Sequence, residues 1–165
     1  MFETINPRQT VLITSRYEDN IFGKDILKDN VTAIDWHMPT STEPQLYAIS
    51  LKKDQYSAEL IRKSGCFVIN FMPFEMKEKV AKIGVMIYGK HKDKFKEIEL
   101  EKEDAESIDC CRVKGALTWL ECKLVDEFET GSNVIFVGKI QNVIHNKYGK
   151  KLFHIEGDKF TTTVD

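Results

Sequence analysis

Apolar and polar residues alternate along residues 31–37, with Val31, Ala33 and Asp35 on one side and Thr32, Ile34 and Trp36 on the other. A period of two is the mark of a half-buried strand. An apolar run at residues 10–16 (TVLITSR) predicts a strand before it. Pro39 breaks the alternation, and MPTSTEPQ reads as a loop that ends at Pro44. The pattern resumes in LYAISLK (46–52), which places Ala48, Ser50 and Lys52 on one side of a strand. SAELIRKSG then predicts a short helix, with Ser57 positioned to cap it and Gly65 just past its end. CFVINFM (66–72) is apolar on both faces, so it predicts a strand in the interior of a sheet or barrel.

Beyond Pro73 the period changes. Met76, Val80, Ile83 and Ile87 recur at helical spacing in FEMKEKVAKIGVMIYG, predicting an amphipathic helix whose apolar stripe packs on the core. GKHKDKF (89–95) reads as a basic loop or short helix, and the acidic residues 96–112 as an irregular surface connection. GALTWLECKLVDEF and NVIFVGKIQNVIHN predict two long strands, joined by a turn containing Gly131, Ser132 and Asn133. A last strand pair surrounds Gly149 and Gly157. About seven strands against two or three helices, several joined by short turns, predict a mainly β fold. The expected architecture is an antiparallel barrel with flanking helices. A dinucleotide-binding Rossmann fold is disfavoured, because no GxGxxG follows a strand and strands do not alternate regularly with helices.

Composition narrows the class. The 165 residues are read as one domain spanning 1–165. Hydrophobic content of 42% and charged content of 30% are ordinary for a soluble protein. A net charge of -2 with interspersed Lys and Glu argues against a nucleic-acid partner. No run reaches the roughly 20 apolar residues of a membrane span. MFETINPRQT has no apolar signal core, so a cytoplasmic location and no membrane partner are expected. Cys66 and Cys122 lie in strand-like apolar runs and read as packed thiols. Cys110 and Cys111 are adjacent, a spacing poorly suited to a bridge between them, and are read as reduced. With no CxxC pair and scattered histidines, no metal site is predicted.

Three candidates carry chemistry. A helix opening near Ser57 presents unpaired amides and the positive end of its dipole, which suits an anion, with Lys52 or Lys53 as further donors. On these residues alone a plain cap on a solvated loop is the more common role. Trp36 offers an indole that covers a flat ligand or packs in the core. Lys94, within the triplet DKF, is a cation in a charged loop.

In order, NVTAIDWHMPTS, EPQLYAISL, Ser57, LIRKSGCFVINFMP, GKHKDKF, the hairpin ALTWLECKLVDEFETGSNVIFVGKI and IEGDKFTT resemble the flavin reductase-like family of FMN-binding split-barrel proteins, which includes flavoredoxin. The likeness spans roughly residues 8 to 163. It implies an antiparallel six-stranded Greek-key barrel with flanking helices, forming a homodimer, with tightly bound FMN at the barrel edge near the subunit interface. Matched residue by residue, Trp36 and Ser57 fall on the side of the flavin phosphate. Lys94 matches a lysine near the cofactor, and Phe160 an aromatic of the closing strand. The backbone of Asn30, Val31, Thr32 and Ala33, and of Ala48, Ile49, Ser50, Leu51 and Lys52, would line the isoalloxazine and ribityl chain. Asn133 stands where relatives often carry the histidine of Gly-Asp-His, so it keeps hydrogen bonding but not charge. Ser57 replaces the usual threonine. The family implies an oxidoreductase passing electrons from NADH or NADPH through FMN to an acceptor, with no catalytic acid or base singled out. An electron carrier reduced by a protein partner is the alternative.

Overall fold

Arg8–Gln9 (β1) leads into β2 (Val11–Ile21), which a two-residue turn folds onto β3 (Lys24–Ile34) in the computed structural model, where residues 2–85 and 91–164 are described. Phe22 and Gly23 in that turn both have positive φ, 52° and 78°, the backbone that matches the twist of paired strands. β4 (His37–Thr42) and β5 (Gln45–Lys52) make a second hairpin. The helix α1 (Tyr56–Ser64) leads to β6 (Cys66–Phe71) and then α2 (Lys77–Val85). After the short α3 (Lys94–Glu97) come β7 (Lys102–Asp104) and β8 (Cys111–Val113). The long hairpin β9 (Thr118–Thr130) and β10 (Asn133–His145) precedes β11 (Leu152–Glu156) and β12 (Lys159–Thr162).

Seven strands pair in the order β3-β2-β6-β9-β10-β5-β4, all antiparallel. The two edges are consecutive in the chain, joined only by Asp35 and Trp36. Three peptide steps span at most about 11 Å, so the sheet must curl until its edges meet at that corner. The result is a barrel split along β3 and β4. Val11, Ile13, Ile49, Leu51, Phe67, Ile69, Val134 and Phe136 fill its interior, with Ala58 and Ile61 of α1 closing one end. A second core lies on the outer face of β2, β6 and β9, under α2, α3, β8 and β11.

Gly138 stands at a close approach within the barrel. A methyl there would lie 2.6 Å from Phe67 and 2.7 Å from Cys122, and the β9–β10 register shifts between Val137 and Gly138. Gly138→Ala is expected to cost about 1–3 kcal/mol by overpacking. Urea unfolding should show a lower midpoint at unchanged slope.

Several sequence expectations are corrected. Residues read as the loop MPTSTEPQ include most of β4; Pro39 is tolerated because β4 is an edge strand, with β5 as its one neighbour. The strand read over 10–16 runs on to Ile21, where the polar residues of the hairpin arm blur the alternation. The N-cap of α1 is Gln55, and Ser57 lies inside the first turn; Gly65 does end the helix in the left-handed region, at φ 68°. Residues 96–112 are not a bare surface connection: Ile98, Leu100, Cys110 and Cys111 are buried and β7 pairs with β8. Val80 and Ile83 of the expected amphipathic helix are buried, while Ile87, Gly89 and Lys90 lie outside the described residues. All four cysteines are buried and unbridged.

Candidate functional site

As an edge strand, β3 has β2 on one side only, and its outer edge gathers two predicted residues from opposite layers. Asn30, itself buried, donates from Nδ2 to Ser57 Oγ of α1 at 2.7 Å. One residue on, the Val31 carbonyl accepts from Lys94 Nζ at 2.9 Å. Ser57 still has its own hydroxyl hydrogen to donate. Beside it, the first amides of α1 have no partner within the helix. Lys94 is set in place by Asp93, whose carboxylate caps α3 by accepting from the amides of Phe95 and Lys96. Phe95 anchors the turn in the outer core.

Lys94 is 8% exposed, not a solvated loop residue. Burial, helped by the nearby Lys28 charge, pushes its pKa down from 10.5 to about 8. Lys28 is also buried and donates to the Lys92 carbonyl at 2.7 Å; burial lowers its pKa, partly opposed by Asp93. Neither ammonium forms an ion pair with a carboxylate among the described residues. Two buried cations with only carbonyl partners are an arrangement that an anion would stabilise. The sequence offered no signal for Lys28, whose burial depends on the packing of β3 against the segment before α3.

Trp36 belongs to a different cleft. Its carbonyl accepts from the Ser50 amide at 2.9 Å, extending the β4–β5 ladder, and its indole lines a shallow cleft of about 180 Å3 with Arg8, His37, Met38, Ala48, Ile49, Ser50 and Ile135. Asn133 Nδ2 donates to Ser50 Oγ at 3.0 Å, which ties the Gly131–Ser132 turn to this cleft. The structure therefore brings Ser57 together with Asn30, and Asn133 with Ser50, but does not seat Trp36 beside Ser57. The side chains of Val31, Ile49 and Leu51 point into the core, and Ile49 and Leu51 pair with Phe136 and Val134 of β10; Thr32 is buried as well. Lys52 is exposed near Lys53, Asp54 and Ser132.

Ala33 and Phe160 share a third cleft of about 220 Å3 with Val80, Gly84 and His154. There the imidazole Nδ1 of His154 meets Asp35 Oδ2 at 2.6 Å, and Thr10 Oγ1 donates to Asp35 Oδ1 at 2.6 Å. Asp35 is thereby held on one side of the barrel corner while Trp36 occupies the other. Neither Asp35 nor His154 stood out in the sequence, because 119 residues separate them. Among the described residues no cluster of His, Cys, Asp and Glu has the makings of a metal site. No helix among them is long and apolar enough to cross a membrane.

Residues 4–163 match the family description "Flavin reductase like domain". The chain belongs to the flavin reductase-like family. An uncharacterized protein of Archaeoglobus fulgidus is 32% identical over 145 residues, 88% of this chain and 76% of that one. Among solved structures, an FMN-binding protein of Thermus thermophilus superposes with a TM-score of 0.84 at 20% identity, over 98% of this chain and 89% of its own. Flavoredoxin of Desulfovibrio vulgaris gives 0.82 at 19%, over 96% and 88%. The NADH:FAD oxidoreductase SgcE6 of Streptomyces globisporus gives 0.82 at 15%, over 97% and 88%. These likenesses establish the fold: the split barrel derived above is that of flavin reductase-like proteins. Most of the residues singled out in the sequence lie on the β3 edge, in the Trp36 cleft or in the Phe160 cleft.

Proposed function

We propose that this flavin reductase-like protein binds FMN and acts as an NAD(P)H-dependent oxidoreductase, working as a homodimer. The observation that carries the reading is Lys94: a buried ammonium at the β3 edge, bonded to the Val31 carbonyl and to no described carboxylate, one residue along from Asn30, which donates to the Ser57 hydroxyl. This donor set fits a phosphate monoester. Lys94 would supply charge and Ser57 a hydrogen bond, with Lys28 adding to the positive field. The exposed indole of Trp36 and the apolar walls of its cleft fit a flat ring. When bound, FMN would supply the redox chemistry, taking two electrons from a nicotinamide and passing them on. The protein's part is to hold the phosphate, exclude water along the β3 edge and leave one face of the site open to a second molecule.

Purified protein supplied with FMN should show a bound-flavin spectrum and bleach at catalytic rates when NADH or NADPH is added anaerobically. Flavin uptake without bleaching by either nucleotide would remove the nicotinamide donor and leave a carrier reduced by a protein partner. Ser57→Ala is expected to weaken FMN binding by about 1–3 kcal/mol, since it removes a hydroxyl donor and leaves Asn30 Nδ2 buried without its acceptor. Unchanged affinity in a fluorescence titration would return Ser57 to a purely structural role within α1.

A further inference from the structure

We propose that Arg8 is the phosphate-recognising residue of the Trp36 cleft, which receives a nucleotide whose flat ring lies along the indole; this rests on the flavoprotein reading above. Arg8 stands on β1, where it pairs with His154 of β11, and its side chain lines the cleft with Trp36 and Ser50. Its Nε is shielded from solvent and has no hydrogen-bond partner. No carboxylate among the described residues pairs with it. A shielded Nε donor without an acceptor is costly, and the fork geometry of arginine suits phosphate oxygens.

The other polar groups of the cleft define its chemistry by elimination. His37 is fully engaged, Nδ1 with the Tyr47 hydroxyl at 2.7 Å and Nε2 with the Gln9 carbonyl at 2.8 Å. Burial lowers its pKa, so it adds no charge. Ser50 is the complementary donor: its Oγ accepts from Asn133, leaving the hydroxyl hydrogen to point elsewhere. Asn133 is itself steadied by Ser132, whose Oγ donates to Asn133 Oδ1 at 3.1 Å. Met38, Ala48, Ile49 and Ile135 supply apolar walls. One cation, one hydroxyl donor and an exposed indole make a site for a phosphate attached to a flat ring. Since the phosphate of FMN is given to Lys94 and Ser57, the phosphate at Arg8 is that of the nicotinamide dinucleotide.

Arg8→Gln and Arg8→Lys test this assignment. Each variant is titrated with FMN, riboflavin and inorganic pyrophosphate, and its KM for NADH and NADPH is measured. Arg8→Gln is expected to weaken pyrophosphate binding and to raise the KM for NADH or NADPH by about 10- to 100-fold, the usual worth of a charged hydrogen bond. Arg8→Lys should recover part of the loss, because it keeps the charge without the fork. A loss for FMN but not riboflavin, with both nicotinamides unaffected, overturns the proposal. A raised KM for the nicotinamides with FMN binding unchanged assigns it to the donor. Wild-type affinity of Arg8→Gln for pyrophosphate, FMN and both nicotinamides overturns the proposal while leaving the flavoprotein reading intact. Should the wild-type protein take up no flavin at all, that reading fails, and pyrophosphate binding by wild type against Arg8→Gln still decides the role of Arg8.

Discussion

Lys94→Met is expected to weaken FMN binding by about 2–5 kcal/mol, the cost of removing one partner from a desolvated charge pair, while riboflavin affinity stays close to wild type. Equal losses for both flavins would place Lys94 against the ring rather than the phosphate. The apo protein should lose little stability, because the substitution also removes a charge that the fold buries at a cost. The pH dependence has a fixed sign. Lys94 has a folded pKa of about 8 against an ordinary 10.5, so between those values the unfolded chain binds more protons than the folded one. Its penalty on folding is therefore fully present below about pH 8 and relieved as pH rises from about 8 toward 10.5. FMN binding runs the other way: the protonated ammonium is the form that holds phosphate, so affinity should fall as pH climbs through about 8. Riboflavin titrated over the same range should show no such fall, and neither should FMN with Lys94→Met.

Glu121→Ala is expected to destabilise the protein by about 3–5 kcal/mol, as breaking a buried ion pair does, and to lower Tm on the order of 10 °C. Glu121 is 0% exposed. Its carboxylate accepts from the Glu106 and Ser107 amides at 2.8 and 2.7 Å, from Ser107 Oγ at 2.6 Å and from Arg112 at 3.4 Å. Truncation leaves those donors without their acceptor. Two further barrel residues hold the same flap, the segment that carries β7 and β8: Asn70 Oδ1 accepts from the Val113 amide at 2.7 Å, and Thr14 Oγ1 donates to the Cys111 carbonyl at 2.6 Å. Glu121→Gln, which keeps one acceptor oxygen, should fall between wild type and the alanine variant. Thermal unfolding of Glu121→Ala within about 1 kcal/mol of wild type would show that the flap is held by apolar packing alone.

That flap marks the limit of what could be read ahead of the structure. Strands whose faces differ were legible: the alternation in β3 and β5 and the apolar run of β6 all reflect local chain geometry. The helix α1 and its Gly65 end were legible for the same reason. Residues 96–112 read as surface because their acidic residues are surface, whereas what orders the segment is polar side chains donated by distant strands. Pro39 misled because its missing amide matters only if a neighbour needs it, and whether β4 has one is a property of the whole sheet. The site was legible as a set of residue types in order. Its electrostatics were not, since the depressed pKa of Lys94, the partnerless Nε of Arg8 and the Asp35–His154 contact all depend on which remote segments pack together.

The two-residue corner at Asp35 and Trp36 also sets what the chain can tolerate in length. Insertions at the tip of the β2–β3 arm, where Phe22 is 88% exposed, would leave the barrel intact. One residue added between Ile34 and His37 would not, because strand faces alternate with a period of two. Either β4 would slip by one position on β5, turning its inward side chains outward, or the corner would bulge and Trp36 and Asp35 would exchange clefts. The spacing of these two side chains is thus bound to the closure of the sheet, and neither cleft can be lengthened or shortened there without altering the other.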